Sequence, residues 1–242
     1  MTNEISPRLR AIFPDDKCSI IKLYLVKDAN DNDKAYTVVS SPIDDENNTK
    51  FRLYDNTKQY SPVIAHVLRQ SPYPQSRKTV VNIHVSIPSY GSTVETPTTV
   101  TMPVEEGITG MWSHFNMRVG IPGQSQGTES FEWRVSKGSE VRDIGGEHAH
   151  GWKLVRLGRE GPGGGSGGGR GKRQKGETSD GKEVVAVWGT TSRTFSSDDR
   201  RPFTLLFYGS GKTGELGEEW RAVAIATAVR LYSYTEQKLF DP

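Results

Sequence analysis

The C-terminal stretch of the chain constrains its fold most, because it contains a helix pattern that is apolar almost all the way round. Residues 220–232 include three polar side chains, Arg221, Thr227 and Arg230. The two arginines fall on nearly opposite sides of a helical wheel, so the helix has no solvent face and belongs inside a core or a membrane. Thirteen residues rise about 20 Å, which is short of a hydrocarbon layer of about 30 Å. The pattern therefore predicts a helix enclosed by protein and no transmembrane segment.

Small residues in this helix indicate what surrounds it. Ala222 and Ala226 lie on one side of the helical wheel, and Ala224 and Ala228 lie on the roughly opposite side. A helix that is slim across one diameter fits inside a sheet that closes around it. We therefore predict a central helix at residues 215–238 within a β-barrel.

The rest of the chain has the pattern of short strands. Runs such as "KTVVNIHVSI", "SFEWRVS", "SEVRDI" and "KEVVAVWG" are rich in β-branched and aromatic residues, and turn-forming residues separate them. In one of them Ile83 and Val85 alternate with polar neighbours, as a sheet with one wet face requires. The expected fold is mainly β. It is one domain over residues 1–242, an antiparallel closed barrel of about twelve strands around a single helix.

One low-complexity segment interrupts this pattern at residues 158–182, "GREGPGGGSGGGRGKRQKGETSDGK". Its composition offers too little apolar surface to offset the entropy of ordering, so it is predicted to be a disordered insertion between two strands. Its cations suit anionic lipid headgroups or RNA, but aromatic residues for base stacking are missing. A solvated flexible loop without a function is the first interpretation of this segment and lipid binding is the alternative, and nucleic acid is not expected as a partner.

Composition limits the other function classes. The net charge of +2 favours no particular partner, and the single cysteine, Cys18, rules out an intramolecular disulfide and a cysteine-based metal site. The first residues lack the apolar core of a signal peptide. The chain is therefore expected to be intracellular, either cytoplasmic or at the periphery of a membrane, and not secreted.

Two motifs resemble functional sites but are incomplete. "GSGKT" at residues 209–213 lacks the earlier glycine of a phosphate-binding loop, because Leu206 stands there, so we interpret it as a glycine-rich turn. Glu147, His148 and His150 could ligate a metal, but no further ligand stands at useful spacing. The sequence thus predicts no enzyme, no catalytic residues, no nucleotide, no metal and no cofactor. The residues predicted to form the structural core are Trp133, Trp152, Trp188, Trp220, Ala224 and Ala228.

The residues also resemble a known family. "SFEWRVSKGSEVRD", "GWKLVRL", "KEVVAVW" and "PFTLLFYGSGKTGELGEEWRAVAIATAVRLY" look like fungal members of the tubby C-terminal-like superfamily, which includes LURP-one-related proteins and phospholipid scramblases. The resemblance covers residues 130–240, and "KFRLYDNTKQYSPVIAHVLRQ" extends it upstream. It implies a twelve-stranded barrel threaded by a hydrophobic helix. The proline-rich, cysteine-rich and calcium-linked segments associated with scramblases are not evident, so scrambling is not expected.

These inferences lead to two hypotheses about function. The first is a non-enzymatic module that binds anionic phospholipid or phosphoinositide headgroups through exposed cations. The residues predicted for this role are Arg170, Lys172, Arg173, Lys175, Lys153 and Arg156. The second is a structural or protein-interaction barrel without a small-molecule ligand, for which the partner is another protein.

Overall fold

The computed structural model describes residues 8–12, 20–26, 32–40, 49–56, 62–70, 78–85, 98–107, 110–120, 127–146, 149–164, 174–190 and 203–240. The described residues form twelve strands and three helices. The strands are Arg8–Ile12 (β1), Ile20–Val26 (β2), Asn32–Ser40 (β3), Thr49–Asp55 (β4), Val63–Gln70 (β5), Lys78–Val85 (β6), Thr98–Gly107 (β7), Gly110–Val119 (β8), Gly127–Ser136 (β9), His150–Glu160 (β10), Lys182–Thr190 (β11) and Phe203–Phe207 (β12). The helices are Ser139–Gly145 (α1), Gly209–Thr213 (α2) and Gly217–Phe240 (α3).

The strand order is circular. Every strand from β2 to β11 pairs antiparallel with the strands before and after it, and β1 also pairs with β12, where Leu9 lies opposite Leu205. Side chains alternate as sheet geometry requires: Phe131 and Trp133 of β9 point inward and are fully buried, while Glu132 between them is half-buried. The prediction of a mainly β, antiparallel chain is confirmed.

Helix α3 is buried along its apolar middle and packs against strands of this sheet. Every side chain from Ala222 to Tyr232 is buried. The helix contacts β5 and β6 and also β12, and β12 stands on the opposite side of the circular order from β6. The helix begins and ends two residues later than the range predicted from the sequence, 215–238. Among the described helices, none combines the length and apolarity needed to cross a membrane.

Aromatic side chains join the strands to this helix. Trp152 of β10 and Trp188 of β11 are directly opposite in the ladder, with ring centroids 6.2 Å apart. Trp188 in turn meets Tyr232 of α3 edge-on at 6.0 Å. All six residues predicted for the core, including Ala224 and Ala228, are buried.

Two short helices replace elements expected from the sequence. The run "SEVRDI", predicted as a strand, forms α1. Val141 and Ile144, three residues apart, come to one side of α1 and pack with Val184 and Val187 of β11. Because Val184 and Val187 are apolar, this face of β11 would be exposed to water without α1, and α1 buries it. "GSGKT", predicted as a turn, forms α2, so the expectation of a single helix is wrong.

The glycine-rich segment is ordered at both of its ends, which corrects the prediction of disorder across residues 158–182. Strand β10 continues to Glu160. The Gly161 amide then donates to the Gly181 carbonyl at 2.8 Å, and Glu177 forms an isolated β-bridge with Glu183. Residues 165–173, which include Arg170, Lys172 and Arg173, lie outside the described residues.

Candidate functional site

Charged side chains gather at the end of the ring where α3 begins, and Arg156 of β10 is at their centre. Arg156 is buried, and its guanidinium donates to both carboxylate oxygens of Glu129 on the neighbouring strand β9. It also donates to Ser210 Oγ and to Glu215 Oε1, each at 3.1 Å. The hydrogen bond to Glu129 is the largest influence on the pKa of Arg156 and raises it above its usual range. The guanidinium is thus held between strands and the start of the helical region.

Glu183 of β11 fixes α2 to this cluster. Its carboxylate lies 3.6 Å from Arg156 and accepts from the Ser210 backbone amide at 2.8 Å and from the Ser210 hydroxyl at 3.0 Å. Glycine at position 209 allows this contact between Glu183 and Ser210. Its φ is +44°, and a Cβ there would lie 2.3 Å from Glu183 Oε1. The strand-to-helix turn therefore requires glycine at this position for both conformation and space.

A cleft of about 460 Å³ opens beside this cluster. The residues that line it are Arg159, Glu160, Gly161, Pro162, Lys175, Gly176, Glu183, Tyr208 and Gly209. Its two cations are exposed: the Arg159 side chain is 48% accessible and that of Lys175 is 60% accessible. Arg159 forms an ion pair with Glu215 and lies 3.7 Å from Glu183, whereas Lys175 pairs with Asp143 of α1. The hydrogen bond to Asp143 raises the pKa of Lys175, so this side chain stays cationic.

A second buried ion pair attaches one wall of the cleft to α1. Glu140 Oε2 accepts from Lys153 Nζ at 2.6 Å, and Glu140 Oε1 accepts from the Gly176 amide at 3.1 Å. Burial raises the pKa of Glu140, but the hydrogen bonds and the charge of Lys153 outweigh burial, so the pKa is lowered overall. Gly138 leaves room for this lysine, since a Cβ there would lie 2.7 Å from Lys153 Nζ.

Of the cations predicted to bind lipid, the structure brings one to the cleft. Lys175 lines it, whereas Lys153 and Arg156, expected as exposed strand cations, are buried in ion pairs. The expectation of their exposure is wrong because each faces a carboxylate from another element. Lys153 meets Glu140, 13 residues earlier in the chain, and Arg156 meets Glu129, 27 residues earlier.

Sequence reasoning missed the other half of the site. Arg159 was visible only as one more basic residue, and its partner Glu215 stands 56 residues further along the chain. Asp143 and Tyr208 carried no signal either, because α1 and α2 were not expected as helices. The one signal in the sequence is the spacing of three cations at positions 153, 156 and 159 of β10.

The two incomplete motifs remain without a site in the part of the chain described. His150 begins β10 and is exposed, while Glu147 and His148 fall outside the described residues. No group of three or more potential metal ligands occurs among the residues that are described. Residues 209–213 form α2, whose Ser210 amide donates a hydrogen bond to Glu183.

Comparisons with protein-family models, with curated proteins and with solved structures found no match for this chain. The resemblance given above therefore stands on its residue patterns alone.

Proposed function

We propose that this protein is a non-enzymatic module that binds anionic phospholipid surfaces through the cleft and the basic segment joined to it. The basic segment is residues 165–173, which connect Gly164 to Gln174. One observation carries the proposal: the chain lines the cleft both shortly before this segment, at Pro162, and shortly after it, at Lys175.

The connectivity concentrates positive charge at the cleft. The segment contributes Arg170, Lys172 and Arg173 and contains no acidic residue. Arg170, the furthest of the three from Gln174, is four residues away from it in the sequence. Together with Arg159 and Lys175, which line the cleft, the stretch of chain from 159 to 175 contains five cations.

Two of these five cations, Arg159 and Lys175, are paired with Glu215 and Asp143, which do not line the cleft; the acidic residues of the lining are Glu160 and Glu183. Glu183 is only 8% exposed, and its carboxylate is occupied by Ser210 and Arg156. Glu160 remains exposed at the rim. Each lysine or arginine near an anionic membrane contributes about 1 kcal/mol, so a cluster of five gives useful affinity without a deep lipid pocket. Lys153 and Arg156 act in this proposal as supports that hold the cleft walls and not as lipid ligands.

We also propose that the fold is a closed barrel of the tubby C-terminal-like type, located inside the cell at the periphery of a membrane. The circular strand order and the burial of α3 support the fold, and the membrane binding proposed above is the reason for the location. The sequence patterns quoted above support it independently. In this proposal the helix is a structural core, and the ligand site lies at the end of the barrel where α3 begins.

Vesicle flotation tests the function. The full chain is expected to float with phosphatidylserine-rich and phosphoinositide-doped vesicles at low salt, and to release as salt rises. The double variant K172E/R173E should bind at least about 30-fold more weakly, because two lost contacts of about 1 kcal/mol each give that factor and the two new carboxylates add repulsion. The matched control is R52E/R118E, which makes the same charge change at exposed positions of β4 and β8 that do not line the cleft. It should bind nearly as well as the parent chain.

Two results would count against this function. Equal losses in both double variants would indicate unspecific attraction by net charge. An absence of flotation with every vesicle, at low salt as well, would favour the alternative of a protein-interaction barrel. Inorganic phosphate added at constant ionic strength separates the sources of the anion: competition indicates a phosphate site, and no competition indicates that the charged surface itself is bound.

A further inference from the structure

Both exposed cations of the cleft already have carboxylate partners from outside its walls. Arg159 is paired with Glu215, which stands in the link between α2 and α3, and Lys175 is paired with Asp143 on α1. Neither Glu215 nor Asp143 lines the cleft. An anion that enters the cleft must therefore compete with a carboxylate for each cation.

The exposure of these carboxylates makes the competition reversible. Glu215 is 46% accessible and Asp143 is 44% accessible, so each pair is close to solvent, where ion pairs are weak and are screened by salt. A single monovalent headgroup offers Arg159 no more than Glu215 already provides. A surface that presents several negative charges at once offers more.

The two carboxylates are not needed to hold the cluster together. Arg156, which also contacts Glu215, is bonded to Glu129 and Ser210 as well. Asp143 is on the exposed face of α1, while the fixed contact of α1 with the cleft wall is made by Glu140 and Gly176. Neutralising Glu215 or Asp143 therefore leaves the walls of the cleft in place.

We propose that Glu215 and Asp143 are intramolecular competitors that raise the negative charge density a membrane must have before this protein binds it. This inference rests on the proposed function, and it assigns a regulatory role to two residues that do not contact the lipid. The charge-density threshold is set by the ion pairs, while the affinity above the threshold is set by the cations.

The test is a vesicle titration in which the fraction of phosphatidylserine is increased stepwise. The variant D143N/E215Q should reach half-maximal binding at a lower fraction than the parent chain, and it should bind about tenfold more tightly at an intermediate fraction. The matched control is E132Q/D180N. It makes the same change in net charge and removes both carboxylates bonded to Arg134, a cation that does not line the cleft. This control should titrate close to the parent chain.

The outcomes separate this inference from the function on which it rests. If the parent chain binds but D143N/E215Q shows no shift, or if the control shifts equally, the competitor role is overturned while membrane binding stands. If no protein binds at any fraction, both proposals are overturned. Binding by D143N/E215Q alone, with none by the parent chain or the control, supports the competitor role in its strongest form.

Discussion

The hydrogen bond between Trp133 of β9 and Thr227 of α3 gives the sharpest test of the architecture. Trp133 Nε1 donates to Thr227 Oγ1 at 2.9 Å, across 94 residues of chain, and both side chains are fully buried. The bond requires this face of α3 to pack toward β9. We predict that Thr227→Val, which keeps the side-chain shape, will leave the indole N–H without an acceptor.

The expected cost follows from this geometry. A buried donor left unsatisfied costs about 1–3 kcal/mol. Thr227 Oγ1 also donates to the Ala224 carbonyl at 3.0 Å, but that carbonyl is in a helix and keeps its own backbone partner, so this second loss adds little. Valine and threonine have similar helix propensities. The free energy of unfolding should therefore fall by about 2 kcal/mol, which corresponds to about 4–8 °C in Tm for a chain of this size.

A double-mutant cycle measured by urea unfolding, with far-UV circular dichroism as the probe, checks the assignment. In the Trp133→Phe background, which has no indole donor, Thr227→Val should cost less than about 0.5 kcal/mol. If Thr227→Val lowers the free energy of unfolding equally in both backgrounds, the two side chains are not coupled. The placement of α3 against β9 would then be refuted.

Two further predictions concern the supports of the site. Gly211→Ala should lower the free energy of unfolding by at least about 1–3 kcal/mol, because its Cβ would lie 2.3 Å from a backbone oxygen of β11. The control Gly158→Ala, with open space around it, should change the Tm little. Glu140→Gln should cost about 3–5 kcal/mol at neutral pH because it leaves Lys153 buried without its counter-charge. The folded pKa of Glu140 is below its usual value near 4.5, so the pair contributes fully above that value and its contribution is lost as the pH falls through the folded pKa. The difference in urea midpoint between the parent chain and Glu140→Gln should therefore shrink in acid, and a constant difference would contradict the role of the charge.

The sequence by itself determined the features that depend on local polarity. A helix without a solvent face has to be enclosed, and alternating runs between turns have to be strands, because both patterns state which sides of an element avoid water. The buried tryptophans and the apolar length of α3 follow from the same reasoning. Where a run was short, this reasoning was ambiguous: Val141 and Ile144 fit a strand or one side of a helix. The apolar outer face of β11, which α1 covers, decided for the helix.

Only the tertiary structure decided which cations are available to a ligand. Lys153, Arg156 and Arg159 are alike in sequence, three positions apart on one strand. The first two are buried against Glu140 and Glu129, while Arg159 is half exposed at the cleft. The charge of a residue is a local property, but its exposure depends on which distant carboxylate the fold brings beside it, and no pattern within the strand encodes that partner.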